Sequence, residues 1–545
     1  MYMKRLVEFA DSHPEELPAI GYKLKKYQWI ATIQSNDAIS FIKAGKNDQR
    51  IIPDLSRSSG VKPILLTDKA EYVFQLDKEG ATEKNKERTK QCHEAYMNLL
   101  KECYEETKSE DIRRIIGTLE KKEWVLPEDM KPGDIIVIRL DIDTFPHEEQ
   151  SVKQFWAQKV TPEADKKQSK MCIVCGKMAP VVERHSMEFL IGANRTKLIS
   201  ANDSAYLSYG LQASEVAPTC FACEQKYGQA LSYMLRKYAS SELKGGPHTF
   251  ASGGVTYVYW TRQKNDEMSM LMLWLSDPDP DAVRRVLMSP FTGVKSDAKD
   301  FCLLAMSANK ARLVVRDYTE QPSWKVKEQL KEFFAAQEVG GQKLYSIYSL
   351  AASMYRDANK DMQKYAITEW VNWAINGHRL SVRIASHILK RIQANGEMNV
   401  LQAAAIKSWL VSQKKGEWTV HVDETNTSQA YLCGRLFAVL EKIQIEAIHS
   451  NETIAARFFA SASTVPKSIF GLLIRNSQAH LSKIGKENKA FEVRYSQKIQ
   501  SIMEHVTDFP KVLGPHEQAE FALGYYHQKQ DFYKPKKETG GEVTK

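Results

Sequence analysis

Apolar and polar residues alternate over Tyr27–Ile33 and Asp37–Ile42, which predicts two strands joined by a turn at Gln34-Ser35-Asn36. A polar loop over Ile51–Gly60, ending in Arg57-Ser58-Ser59-Gly60, leads to Pro63 and a strand-like Tyr72–Leu76. Glu83–Glu106 predicts a long helix: Tyr96, Leu99, Leu100 and Cys103 recur at helical spacing, and Lys84, Lys86, Arg88 and Lys90 crowd its start. Cations there oppose the helix dipole, so they read either as a solvated face or as a phosphate contact. Pro132-Gly133-Asp134 turns into Ile135–Ile142, a near-continuous apolar run suited to a strand buried on both faces. Val255–Trp260 and Met270–Leu275 read as the next strand pair, with polar Gln263–Glu267 between them. Phe301–Ser307 and Arg312–Asp317 read as another, turning at Ala308-Asn309-Lys310.

From about Trp324 the period becomes helical. Over Tyr431–Ile448, Leu432, Leu436, Val439, Leu440, Ile443 and Ala447 mark one face, with Arg435, Lys442 and Glu446 opposite. Pro466 suits the first turn of the next helix and Gly485 the position just past its end. Helices over Glu492–His505 and Glu517–His527 follow, and Lys534–Lys545 reads as a disordered tail. The expected class is α+β and multi-domain: a mixed N-terminal region with antiparallel hairpins, a zinc-stapled segment, then a C-terminal helical bundle. The expected divisions are 1–135, 136–345 (holding a four-cysteine segment at about 165–240), a helical connection 346–395, the bundle 396–533 and the tail 534–545.

With 43% hydrophobic and 10% aromatic residues among 545, the chain is globular, not disordered or fibrous. Its 76 Lys and Arg against 67 Asp and Glu give a net charge of +9, which permits a nucleic-acid partner without demanding one. The longest apolar runs, such as Met270–Leu275, fall far short of the roughly 20 residues of a membrane helix, and Met1–Ala10 lacks a signal peptide's apolar centre. A cytoplasmic location and no membrane partner are expected. Disulfides are disfavoured there, so eight cysteines call for another explanation.

Four of them form a pattern. Cys172-Ile-Val-Cys175-Gly176 and Cys220-Phe-Ala-Cys223 each place two thiolates on one tight turn, and two such turns supply the tetrahedral four-sulfur shell that zinc accepts. Gly176 lets the first turn curl, and the second pair opens an amphipathic helix, Glu224–Tyr238, whose N-terminus favours thiolate. The 44 residues between the pairs, 176 to 219, exceed the spacer of a compact zinc ribbon, so something folds between them. His185 lies in that spacer, but nothing is placed to make the zinc catalytic, and a structural staple is expected. The remaining cysteines, at 92, 103, 302 and 433, read as buried small apolar residues.

Catalytic signals are thin, with neither a Gly-rich loop ending in Gly-Lys-Ser/Thr nor a Gly-x-Ser-x-Gly elbow. Asp141 and Asp143 at a strand end could hold Mg²⁺, although such a pair more often forms a turn. In the helical region Arg435, Arg457, Lys467, Arg475, Lys483, Lys486 and Lys489 recur with Asn476, Gln478, His480 and Asn488 among them. Such a face either tracks a phosphate backbone or is simply solvated.

Several strings together resemble the large subunit of the type I-C CRISPR surveillance complex (Cascade). They are Asp141–Phe155 with its Asp-Ile-Asp-Thr-Phe-Pro start, Ile199-Ser-Ala-Asn202-Asp203 through Gly210, Leu304–Arg316 and Ala403–Lys407. The most specific is Tyr431-Leu-Cys-Gly434-Arg435 through Gln444, continuing into Ala460–Pro466 and His480–Lys483. The N-terminal third matches more weakly, through Arg57-Ser-Ser-Gly60 and Glu71-Tyr72-Val73. The resemblance implies a non-catalytic subunit that reads the short motif flanking the target (the PAM) in double-stranded DNA, while guide RNA on other subunits reads the sequence. It further implies duplex opening, contact with the displaced non-target strand, and recruitment of a helicase-nuclease. Partners would be guide-RNA-bearing backbone subunits and the subunit that binds the RNA handle. Small subunits made by internal translation are also implied, with Met398 as candidate start and Gly396 as boundary. Many members of that family keep only part of the four-cysteine set, so zinc rests on the spacing.

On this reading Arg57, Ser58, Ser59 and Lys62 of the loop, with Asn85 and Lys86 of the helix start, contact the PAM-proximal duplex. Arg435, Arg457, Lys467, Arg475 and Lys483 hold the displaced strand, and Cys172, Cys175, Cys220 and Cys223 hold structural zinc. The rival readings are a zinc-ribbon nuclease using Asp141 and Asp143, and a zinc-stapled scaffold with no nucleic-acid role.

Overall fold

The computed structural model describes residues 2–55, 57, 60–161, 169–200, 210–211, 213–236, 248–262, 266–288, 299–341, 343–449 and 453–533. Ser58, Ser59, Asn202, Tyr238 and the tail 534–545 lie outside the described residues. The chain divides into two compact units, Met1–Arg236 with Ser307–Val315, and Lys237–Met306 with Arg316–Lys545.

The first unit begins with α1 (Tyr2–Ser12), β1 (Tyr22–Lys26), β2 (Trp29–Ile33), β3 (Ile39–Lys43), β4 (Gln49–Pro53) and β5 (Thr67–Lys69). Then come α2 (Ala70–Val73), α3 (Glu83–Thr107), α4 (Glu110–Lys121), β6 (Ile135–Leu140) and α5 (Gln150–Val160). A four-stranded sheet runs in the order β3-β2-β6-β5, and β1 pairs separately with β4. The hairpin β2–β3 closes as its alternation predicts, with Asp37 at φ 65° in the turn. In β2 the alternate residues Trp29, Ala31 and Ile33 enter the core. In β6 Ile136, Val137 and Ile138 are all buried, as a continuous apolar run requires. Tyr96, Leu100 and Cys103 of α3, Ile112 and Ile115 of α4, and Phe155 and Trp156 of α5 fill the same core.

Two expectations fail here. Tyr72–Leu76 is not a strand: Ala70–Val73 forms a helical turn, Phe74 N donating to Ala70 O, and Gln75 at φ 55° ends it. The division expected at 135/136 is also not observed, because β6 lies inside the sheet, parallel to β2, with Ile136 opposite Trp29.

The four-cysteine segment belongs to this same unit. It comprises the hairpins β7 (Ser169–Met171)–β8 (Met178–Pro180) and β9 (Phe189–Ile191)–β10 (Asn194–Thr196), then α6 (Phe221–Met234). Helix α6 lies against α1, where Lys226 pairs with Asp11 at 2.5 Å, and Gln229 Nε2 donates at 3.1 Å to Ala19 O in the segment that follows α1.

The second unit opens with β11 (Thr249–Ser252), β12 (Val255–Thr261), α7 (Asp266–Trp274), α8 (Pro280–Met288), β13 (Phe301–Asn309) and β14 (Arg312–Gln321), of which the hairpin end Ser307–Val315 is grouped with the first unit. Its sheet order is β11-β12-β13-β14. Met270–Leu275 is helical, not a strand: Met268, Leu271, Met272 and Leu275 are buried at the 3–4 residue spacing of a helix face.

Helices then follow without interruption. They are α9 (Ser323–Ala336), α10 (Ile347–Ala352), α11 (Ala358–Asp361), α12 (Lys364–Asn376), α13 (Val382–Asn395) and α14 (Val400–Ser412). The last five are α15 (Gln429–Ile448), α16 (Ile454–Thr464), α17 (Pro466–Glu487), α18 (Lys489–Met503) and α19 (Pro515–Asp531). One core joins Trp370 of α12 and Ile388 of α13 to Ile406, Phe437 and Phe521, so 346–395 is not a connector and no core boundary falls at Gly396. Helices α15 and α19 cross with backbone contact: a β-carbon on Gly434 would lie 2.0 Å from Phe521 O, and one on Gly524 2.3 Å from Tyr431 O. Gly485 lies inside α17 instead of ending it, leaving room for the Glu492 carboxylate, which a β-carbon there would meet at 2.1 Å.

Candidate functional site

Two tight turns bring the four cysteines together. Met171 and Met178 pair across β7–β8, and the loop between them closes through Cys172 N to Lys177 O at 2.9 Å and Gly176 N to Cys172 O at 2.8 Å. Gly176 sits at φ 73°, a conformation that favours glycine. The second turn is the start of α6, where Cys220 is the extended residue before the helix and Cys223 lies in its first turn. The turns are tied together by Ile173 N to Pro218 O at 2.9 Å and by Cys220 N to Cys172 Sγ at 3.4 Å.

All four Sγ atoms lie within 4.8 Å of one another, and Cys175 and Cys220 are 4.0 Å apart. Zn–S bonds of about 2.3 Å in a tetrahedron place sulfurs roughly 3.8 Å apart, so a small contraction closes the shell. Hydrogen bonds from the Cys223 side chain and backbone hold the Cys220 thiol down at about 5, and Cys220 together with burial pushes the Cys223 thiol up. A dication is what allows all four to be thiolates together. The donor set fits structural Zn²⁺, with four protein sulfurs and no open position for a reacting water. Among the described residues this is the one cluster of three or more metal-type ligands.

Sequence reasoning missed the residues supporting this cluster. Glu224, buried directly after Cys223, accepts hydrogen bonds from Ser186 N, Ser186 Oγ at 3.0 Å and Met187 N at 3.3 Å. That carboxylate ties the inter-cysteine segment to α6. His185 Nδ1 shares a hydrogen bond with Tyr227 Oη at 2.8 Å, and burial lowers the imidazole pKa. The adjacency of Glu224 to Cys223 was the only available signal.

The loop before β5 is anchored from beneath by Asp68, which is 2% exposed. Its carboxylate accepts from the Arg57 guanidinium and from Ile64 N at 2.7 Å, and Arg57 also stacks 4.4 Å over Tyr72. Burial pushes the Asp68 carboxyl up while Arg57 pulls it down. Arg57 is therefore a half-buried anchor of the loop, whereas Lys62 is exposed. On α3, Lys84, Asn85, Lys86 and Arg88 are all exposed, with Lys86 2.8 Å from Glu83.

Of the C-terminal cations, Arg435 does not belong to a surface. It is 3% exposed, and its Nε donates to Gln528 Oε1 at 3.2 Å, because the α15–α19 crossing closes over it. Lys467 pairs with Asp508 at 2.7 Å. Arg457, Arg475 and Lys483 are exposed, and Arg475 and Lys483 lie on one stripe of α17 about 12 Å apart along its axis. Asp141 is also engaged, with Arg114 Nη1 at 2.9 Å and Ser35 Oγ at 2.9 Å on its two oxygens, and Arg114 lowers its pKa. An Asp141–Asp143 metal site would have to displace that ion pair. Cys92, Cys103, Cys302 and Cys433 are buried.

The family model described as CRISPR-associated protein (Cas_Csd1) matches residues 3–533, through both units and the cysteine cluster. Comparison with curated proteins found no match. A match over nearly the whole chain makes this protein a member of the CRISPR-associated Cas_Csd1 family, a Cascade-type large subunit.

Proposed function

We propose that the chain is the non-catalytic large subunit of a type I-C surveillance complex, reading the PAM in double-stranded DNA and promoting opening of the duplex. The family match over residues 3–533 carries this reading. Exposed Lys62, Asn85 and Lys86 supply donors for base edges and phosphates in the first unit, with Arg57 holding the loop that bears Lys62. Ser58 and Ser59 are part of the same proposed contact. In the second unit Arg457, Arg475 and Lys483 hold the displaced strand by charge. Zinc at Cys172, Cys175, Cys220 and Cys223 stiffens the segment packed on α1 and supplies no chemistry to a substrate.

Companion subunits would carry the guide RNA and its handle, and a helicase-nuclease would act after opening. The proposed site of action is the cytoplasm; among the described residues no helix is long and apolar enough to cross a membrane. Internal translation from Met398 would yield a product lacking α13, whose Ile384, Ile388 and Ile392 are fully buried, so that product needs another partner over the uncovered face.

Sequencing the RNA that co-purifies with the tagged chain from its host tests the assignment. Short RNAs sharing one repeat-derived 5′ handle are expected. Their absence from a preparation without companion subunits would contradict it.

A further inference from the structure

A cavity of about 760 Å³ opens in the second unit between β11, α7 and the start of α10. Its apolar wall contains Phe250, Met270, Trp274 and Tyr348, and its rim carries Asp277 and Asp279. The wall is built in place: Phe250 is stacked on Tyr257 with ring centroids 4.7 Å apart, and Tyr348 Oη donates to Asn359 Oδ1 at 2.9 Å. Met270 and Tyr348, both large and apolar, are nevertheless 45% and 39% exposed. Asp279 is fixed as the cap of α8, accepting from Asp281 N at 3.0 Å and Ala282 N at 3.1 Å. The Asp277 carboxylate is exposed and has no side-chain partner among the described residues. Among the described residues that line the cavity there is no lysine, arginine or histidine.

The described lining thus carries two carboxylates and no cation on a chain of net charge +9, and two carboxylates repel a phosphate backbone. An apolar cavity of a few hundred Å³ with a few convergent polar groups is the usual form of a ligand site. We propose that it docks a short segment of a partner protein in which a bulky apolar side chain is followed by lysine or arginine. The apolar side chain would lie against Phe250 and Trp274, and the cations would meet Asp277 and Asp279. Charge complementarity selects this occupant over nucleic acid and over an acidic peptide.

The test uses the full chain and fluorescein-labelled Gly-Phe-Leu-Lys-Arg-Gly, followed by fluorescence polarisation. The expected result is saturable binding at least about tenfold tighter than that of Gly-Phe-Leu-Glu-Glu-Gly. Asp277→Lys and Met270→Ala, both at exposed positions, should each weaken binding by at least about tenfold without altering the unfolding midpoint. Equal binding of the two peptides, binding that survives both substitutions, or displacement of the peptide by single-stranded DNA would overturn the proposal. None of these readouts depends on PAM recognition, so the two readings fail separately.

Discussion

A β-carbon on Gly396 would lie 2.5 Å from the Cα of Ala456, so α13 ends in backbone contact with α16. Gly396 also terminates α13 at φ 65°, where an L side chain is strained. Gly396→Ala is therefore predicted to destabilise the second unit by about 1–3 kcal/mol, through strain and overpacking together. Urea unfolding of the full chain measures this, and an unchanged midpoint would mean that the contact yields without cost.

The cysteine cluster predicts one zinc per chain by metal analysis. Cys172→Ser with Cys220→Ser should abolish it and loosen the 169–200 segment, seen as faster proteolysis there than in the second unit. A metal-free wild type with the same proteolytic pattern would contradict the staple.

His147 gives the first unit an acid sensitivity. The ring is 0% exposed, neither nitrogen has a hydrogen-bond partner among the described residues although Glu148 lies 3.9 Å from Nε2, and burial together with Arg50 and Lys153 lowers its pKa from 6.5 to about 3. The folded form thus refuses a proton that the unfolded chain accepts. Stability is unaffected above about pH 6.5 and falls as pH drops toward 3, by about 2 kcal/mol at pH 5. His147→Phe should flatten that part of the pH–stability curve. An identical slope in the variant would assign the acid loss to other groups.

Arg57 and Arg435 are expected to act on folding, not on DNA affinity through salt-dependent contacts. Arg57→Glu would face the buried Asp68, and Arg435→Glu would place a carboxylate in the α15–α19 interior. Arg57→Glu should cost about 3–5 kcal/mol in unfolding measurements, the range for breaking a buried pair, and Arg435→Glu should destabilise by burying an unpaired carboxylate. A stable Arg57→Glu chain with a shallower salt dependence of DNA binding would return Arg57 to the phosphate contacts.

What was legible in the chain follows from where local pattern decides structure. The hairpin Trp29–Lys43 and the helix Glu83–Thr107 could be read because their apolar periods match one buried face. The zinc turns could be read because spacing within each Cys pair fixes ligand geometry locally. Met270–Leu275 reads wrongly as a strand because its run is apolar at every position, and only the burial of Met268, Leu271 and Leu275 reveals the helical period. Arg435 misled because an arginine among apolar residues signals a polar face, and Gln528 lies 93 residues away. The unit boundary was hidden for the same reason: the pairing of β2 with β6 is made across 107 residues. Asp68, the anchor beneath the loop, carries no motif and is recognisable only from its buried bonds to Arg57 and Ile64.

The central claim is that exposed groups of the first unit read the flank of the target. The most direct measurement assembles the complex around this chain and selects from duplexes with one matched target and randomised flanking bases. Wild type should enrich a short flanking motif, and Lys62→Glu with Lys86→Glu should lose it while assembly persists, lowering the salt slope by about two units. Flank-independent binding by the wild type, or an enriched motif that survives both substitutions, would contradict the account.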